Sequence, residues 1–151
     1  MLKKLNLIRN GKRNSRLVQT GSFILTGTNH KKTDMENTDA DRIEDVVRTR
    51  KQAHSYYLRK SKVYRSFLEM EENTYRDGAL VRKYKELIAI GISVAVNCES
   101  CMEWHIKKAL DGGASENEII ESIEVGFEMS GGPGTVSARF AMNVLEYYLK
   151  K

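Results

Sequence analysis

One stretch of this chain, "ELIAIGISVAV" (residues 86–96), alternates large and small apolar residues as a buried β-strand would. No other segment offers it a strand to pair with, and a strand needs neighbours to be stable. With the preceding "RKYKE" the segment is also too long for an ordinary strand. The same letters suit a helix buried on all sides, with Ala89, Gly91, Ser93 and Ala95 as a small-residue face for close packing. That choice decides the class. The body is expected to be all-α, a compact bundle of about six helices.

The remaining text parses into helices with recognisable ends. "TDADRIEDVVRTRKQAHSYYLRK" opens at Thr38 with a capping residue and early acids and closes on basic residues, as the helix dipole favours. Ile43, Val46, Val47 and Tyr57 share one face. Ser61 caps a second helix bearing Val63, Phe67 and Met70, which Gly78 ends. A fourth helix starts at the cysteines and stops at Gly112 and Gly113, where glycine suits a left-handed terminus. "SENE" (115–118) is a capping box for a fifth, with Ile119, Ile120, Ile123 and Phe127 inward. Pro133, the only proline, stands at the first position of a sixth, which buries Val136, Phe140, Val144 and Tyr148.

Charge divides the chain in two. Residues 1–34 hold eight Lys/Arg against the single acid Asp34, leaving 17 basic and 19 acidic residues in 35–151. The net charge of +5 therefore belongs to a basic N-terminal arm. The arm, 1–34, lacks sustained apolar periodicity and reads as disordered or as a start-site extension before Met35. It carries no aromatic or basic stripe that would argue for nucleic acid. The all-helical domain is 35–151. No apolar run approaches the ~20 residues of a membrane helix, no signal peptide is evident, and two cysteines make no secreted disulfide framework. The expectation is a cytoplasmic protein without nucleic-acid or membrane partners. In a reducing compartment a lone CxxC more often serves catalysis or metal than structure.

Both cysteines lie in "NCESCMEWH" (97–105). Unpaired N–H groups in a first helical turn, together with the helix dipole, favour a thiolate there over a thiol. The sulfurs of Cys98 and Cys101 can join only if Cys98 sits at or before the cap, because bridging needs Cβ atoms about 3.5–4.5 Å apart. His105 falls one turn after Cys101 on the same face and can accept its proton. Duller readings stand beside this one. The cysteines could be small buried hydrophobes. Cys98, Cys101, His105 and Glu86 could give zinc four donors, although structural zinc sites usually use two separated ligand pairs. Glu86 could be a solvated charge at a helix start. Met102, Trp104, His30 and His54 read as packing or surface residues, and "SGGPGT" lacks the lysine of a phosphate loop.

Glu86, Cys98, Cys101 and His105, with the surrounding "KELIAIGISVAVNCESCMEWHIKKALDGGASENEIIESI" and the later "GGPG", resemble the alkylhydroperoxidase D-like branch of the carboxymuconolactone decarboxylase family. The likeness covers roughly residues 60–148. Ser100 stands where some members carry a second histidine. The resemblance implies an all-α thiol-dependent peroxidase in which Glu86 and His105 relay a proton for the Cys98/Cys101 dithiol. It implies a small hydroperoxide substrate, a thiol-reducing protein partner, and a homo-oligomer, trimer or hexamer. No cofactor or metal is expected. Lactone decarboxylation is disfavoured, since the decarboxylases generally lack the CxxC. A non-catalytic scaffold or zinc-binding module is the alternative of another class.

The relay is plausible only in helices. Extended, Glu86 would stand about 40 Å from Cys98 at ~3.3 Å per residue. As a helix folding back after Cys98, the chain brings Glu86 within about 8 Å of His105 along the axis at 1.5 Å per residue.

Overall fold

The computed structural model describes residues 30–151, with side chains from 38 onward. Among the described residues there are six helices and no strand: α1 (His30–Lys60), α2 (Lys62–Thr74), α3 (Arg82–Ala95), α4 (Glu99–Asp111), α5 (Glu116–Ser130) and α6 (Gly134–Leu149). Residues 1–29 of the basic arm lie outside the described residues; α1 begins at His30, inside the segment set apart by charge.

Thr38 therefore lies inside α1 rather than at its start. Asp39, expected in a first turn, instead accepts a hydrogen bond at 2.9 Å from Asn143 of α6. The other starts follow the sequence. Ser61 Oγ accepts from the Tyr64 N–H at 3.1 Å. Ser115 and Glu118 exchange bonds of 3.2 and 2.8 Å in a full capping box. Gly113 takes the left-handed conformation after α4 at φ 80°. Pro133, expected at the first position of α6, stands one residue earlier as its cap. α2 stops at Thr74, four residues short of Gly78; the Lys85 ammonium donates to the carbonyls of Thr74, its last residue, and Arg76 just beyond.

α3 lies between α4 and α5, α6 closes against α4 and α5, and α1 crosses α4 and α6. The core is formed by Ile43, Ile90, Met102, Ile106, Ile119 and Val144 with their neighbours. Burying such side chains contributes about 1.5–3 kcal/mol each relative to exposure. At the α3–α5 crossing, Gly126 meets Gly91 so closely that a Cβ on Gly126 would lie 2.3 Å from the Gly91 carbonyl oxygen. Glycine is required here by the space, and it lets the two backbones touch.

Several residues expected inside are outside. α3 is buried on one side only, through Glu86, Ala89, Ile90, Ser93 and Val94. Its second stripe, Ile88, Ile92 and Val96, stays exposed. Tyr57, Phe127 and Val136 are exposed as well. No residue of α2 is buried, and Val63, Phe67 and Met70 face outward. Among the helices α2 approaches α1 alone. Each of these positions has the right period, but no helix among the described residues buries it.

Candidate active site

The α3–α4 connection is a three-residue turn that sets the cysteines. Asn97 adopts φ 55°, a left-handed conformation open to asparagine more readily than to most residues. Its N–H donates to Val94 O at 3.2 Å, and the Cys98 N–H donates to Ser93 O at 3.0 Å. This pair of bonds closes the helix as a Schellman motif. Ser137 of α6 donates to the Asn97 side-chain oxygen at 2.8 Å, which fixes the turn from the far side. Cys98 is thereby both the last residue of that closure and the N-cap of α4. Cys101 sits in the first turn, with a Cα–Cα separation of 5.2 Å, and the two sulfurs are bonded as a disulfide.

Glu86 is 1% exposed, and its Oε2 accepts a hydrogen bond from His105 Nδ1 at 2.7 Å. Arg82, one turn earlier on α3, donates to Oε1 at 3.1 Å. A buried carboxylate needs such partners, since desolvation without them is costly. The expected approach of Glu86 to His105 is thus a direct bond between α3 and α4. With Nδ1 donating, the neutral ring keeps Nε2 as a basic nitrogen. The structure joins Glu86 to His105 and Cys98 to Cys101, and His105 follows Cys101 by one turn of α4.

Tyr75, just beyond α2, stacks on the His105 ring with centroids 5.4 Å apart and planes at 25°. Burial, and then the nearby Glu86 and Glu71 carboxylates, push its phenol above the ordinary value, with Arg82 opposing. It remains a neutral cover on the imidazole. Both rings line a groove of about 800 Å³ between α2 and α4, flanked by α1. Cys101 lines this groove, and Cys98 does not.

Trp104 also lines the groove, with the Arg50 guanidinium 4.5 Å and the Lys108 ammonium 4.7 Å from its ring centroid. Beneath it, Glu103 is fully buried. Arg50 donates to Glu103 Oε2 from Nε at 3.0 Å and from a terminal nitrogen at 2.7 Å. Tyr148 of α6 donates to Oε1. Burial, and then its bond to this carboxylate, push the Tyr148 phenol well up. Sequence reasoning missed this trio, as well as Arg82 and Tyr75. The available signal was Glu103 itself, an acid beside the inward positions Met102 and Ile106. Trp104 lines the groove rather than merely packing or facing solvent. His54 is exposed, bonded to Tyr64 at 3.1 Å, and also lines the groove.

Both sulfurs are engaged with each other. Among the described residues no three His, Cys, Asp or Glu side chains converge as a metal site would need. No helix among them is long and apolar enough to cross a membrane.

The family model of the carboxymuconolactone decarboxylases matches residues 61–143, more than half of the chain and all of α2 to α5. This chain belongs to the carboxymuconolactone decarboxylase family. It is 36% identical over 81 residues, 54% of its own length and 73% of the other's, to a Paracoccus denitrificans protein described as "Uncharacterized protein 4 in cox locus". It is also 36% identical over 73 residues, 48% of its own length and 62% of the other's, to an uncharacterized protein of Cupriavidus necator. A Legionella pneumophila member of the carboxymuconolactone decarboxylase family superposes with a TM-score of 0.66 at 26% identity. That superposition covers 72% of this chain and 97% of the other. A Thermotoga maritima member gives 0.65 at 25%, covering 70% and 91%. The carboxymuconolactone decarboxylase fold carrying a CxxC pair supports an alkylhydroperoxidase-like role at the level of the family.

Proposed function

We propose that this protein is a thiol-dependent peroxidase whose Cys98/Cys101 dithiol reduces hydroperoxides. The observation that carries this reading is the 2.7 Å bond from His105 to a buried Glu86, one turn from Cys101 of a CxxC at a helix start. The Thermotoga maritima relative, described with a possible involvement in an antioxidative response, adds support at the family level.

In the reduced state His105 Nε2 accepts the Cys101 proton, and Glu86 holds the ring and balances the imidazolium. The thiolate attacks the terminal oxygen of the hydroperoxide, and an S–O bond forms as the O–O bond breaks. The departing alkoxide takes the proton from His105 and leaves as an alcohol, or as water when the substrate is hydrogen peroxide. The Cys98 thiol then displaces hydroxide from the sulfenic acid, giving the disulfide and water. Two electrons and two protons from a thiol-reducing protein partner restore the dithiol by exchange. A cytoplasmic setting would supply such a partner.

Cys101 has the histidine, the helix terminus and the groove, whereas Cys98 has the terminus alone. Alkylation of each thiol is followed by mass spectrometry against pH in the reduced protein. His105→Ala is expected to slow Cys101 at neutral pH and to leave Cys98 nearly unchanged. Glu86→Gln is expected to give a smaller loss in the same direction. A Cys101 profile unmoved by His105→Ala, or a lower apparent pKa at Cys98, would contradict these roles. Undiminished hydroperoxide turnover in a Cys98→Ser/Cys101→Ser variant would contradict the chemistry altogether.

A further inference from the structure

We propose that the groove beside Cys101 is a site for an apolar chain bearing a carboxylate, with Arg50 as its anchor. For catalysis this inference rests on the peroxidase reading, and it makes the favoured substrate a long-chain acid carrying a hydroperoxide along its chain.

The groove is chemically two-sided. Tyr64, Phe67, Leu68 and Met70 of α2 supply an apolar wall. Phe67 and Met70 are half exposed, at 50% and 58%, and Phe67 stacks on Tyr64 within the wall. On the other side stand Arg50 and Lys51 of α1, with Lys108 over the Trp104 ring. Glu71 is the acid on the lining, and it acts at the Tyr75 end, where its charge raises the phenol. A volume of about 800 Å³ is ample for one chain-like molecule.

Arg50 is prepared for an anion. Nε and one terminal N–H are held by Glu103, which is itself fixed by Tyr148. A guanidinium presents five N–H donors in a rigid fork. The rest of the fork has no partner among the described residues, and the side chain is 23% exposed at the groove. Its plane is further fixed by the Trp104 ring at 4.5 Å. A carboxylate is the ligand such a preset fork suits.

The spacing then orients the guest. Cys101 and Trp104 are i,i+3 neighbours on α4, roughly 5–6 Å apart at Cβ, and the guanidinium lies a further 4.5 Å over the indole. The anchor thus stands on the order of 10 Å from the attacking sulfur. A hydroperoxide several methylenes from the carboxylate meets Cys101 while the chain lies against α2. The carboxylate takes no part in the reaction. The hydroperoxide becomes the alcohol, the dithiol becomes the disulfide, and one water is released.

Trp104 is the only tryptophan of the chain, so its fluorescence reports the groove directly. Decanoate and decanol are titrated into the full-length oxidised protein. Decanoate is expected to give a saturable change and decanol a much weaker one. Arg50→Gln is expected to weaken decanoate about tenfold, the scale of one lost charged hydrogen bond. Because Arg50→Gln leaves Glu103 buried without its cation, the balanced Arg50→Gln/Glu103→Gln pair is measured too, with circular dichroism to establish folding. In a parallel assay, kcat/KM is measured for a fatty-acid hydroperoxide and for cumene hydroperoxide. The preference for the acid is expected to fall about tenfold in the folded double variant. Equal binding of decanoate and decanol, or wild-type decanoate affinity in the double variant, overturns the site. Arg50-dependent decanoate binding without turnover of any hydroperoxide leaves the site standing and overturns the peroxidase reading instead.

Discussion

Replacing Gly126 by alanine tests whether the α3–α5 contact organises this fold. The added Cβ would meet Gly91 at 2.3 Å to its oxygen, 2.9 Å to its carbonyl carbon and 3.0 Å to its Cα. All three are backbone atoms, so no rotamer change relieves the clash, and the helices must part by about 1 Å to reach ordinary contact distance. A gap of 0.5–1 Å forfeits roughly a quarter to a half of each dispersion contact along the seam, and Ile90 of α3 and Ile119 and Ile123 of α5 all belong to the core. Overpacking of this kind costs about 1–3 kcal/mol, and backbone against backbone belongs at the upper end. Alanine returns about 0.8–1.0 kcal/mol of helix propensity. The net expectation is a loss of about 2 kcal/mol, or roughly 8 °C in Tm at ~4 °C per kcal/mol for a domain of this size. Gly91→Ala, whose Cβ would lie 3.1 Å from Ser122 O, should fall between this and wild type. Gly132→Ala meets nothing within 4 Å and should stay within about 0.5 kcal/mol. Thermal melts of the three oxidised variants, followed by circular dichroism, give the ordering. Gly126→Ala melting at or above the wild-type temperature would refute it.

Tyr148→Phe leaves a buried carboxylate oxygen short of a donor and should cost about 1–3 kcal/mol at neutral pH. The folded protein raises the Tyr148 phenol above its ordinary 10.0 and holds that proton longer than the unfolded chain, so this contribution is full below pH 10 and is lost as the pH rises further. Urea midpoints at pH 8 and 10.5 should therefore fall more steeply in wild type than in the variant; parallel slopes would count against the assignment. Asn97→Ala should cost about 1 kcal/mol for its left-handed backbone plus the Ser137 bond, whereas Asn97→Gly should recover the backbone part; equal melting temperatures for the two would contradict the turn's role. We also propose a homo-oligomer, trimer or hexamer, because Ile88, Ile92, Val125 and Met129 are more than half exposed on α3 and α5. Light scattering at micromolar concentration should give a multiple of 17.2 kDa, and the single-chain mass would exclude it.

Local signals were legible wherever a residue type has one strong backbone use. Ser61, the Ser115–Glu118 box, Gly113 and the cap position of Cys98 were all readable before the fold was known. Thr38 misled because a capping residue is also tolerated inside a helix, and no glycine or proline between Gly27 and Gly78 forces a start. Burial was less legible. In α3 the stripe through Ile90 and Val94 and the stripe through Ile88 and Ile92 have the same composition, and only the Gly91–Gly126 crossing decides which one faces the core. In the site, Glu86 could be placed near His105 from helix geometry along a short stretch. Glu103 could not be joined to Arg50 and Tyr148, which lie 53 and 45 residues away, because that pairing exists only after α1 and α6 pack on α4.

A helix that buries nothing has little beyond its own propensity to hold it. α2, with 13 residues, is near the length at which isolated helices are marginal in water. Its contacts are a cap at Ser61, the Lys85 bonds beyond its far end and its approach to α1. It therefore belongs at the low end of local stability, and its amides should exchange with deuterium well ahead of those in α3 and α5. The outer wall of the groove can melt and re-form while the scaffold carrying Glu86, His105 and the cysteines stays closed. A chain bound there as proposed would enter and leave on the timescale of one helix fraying, with no movement of the domain as a whole.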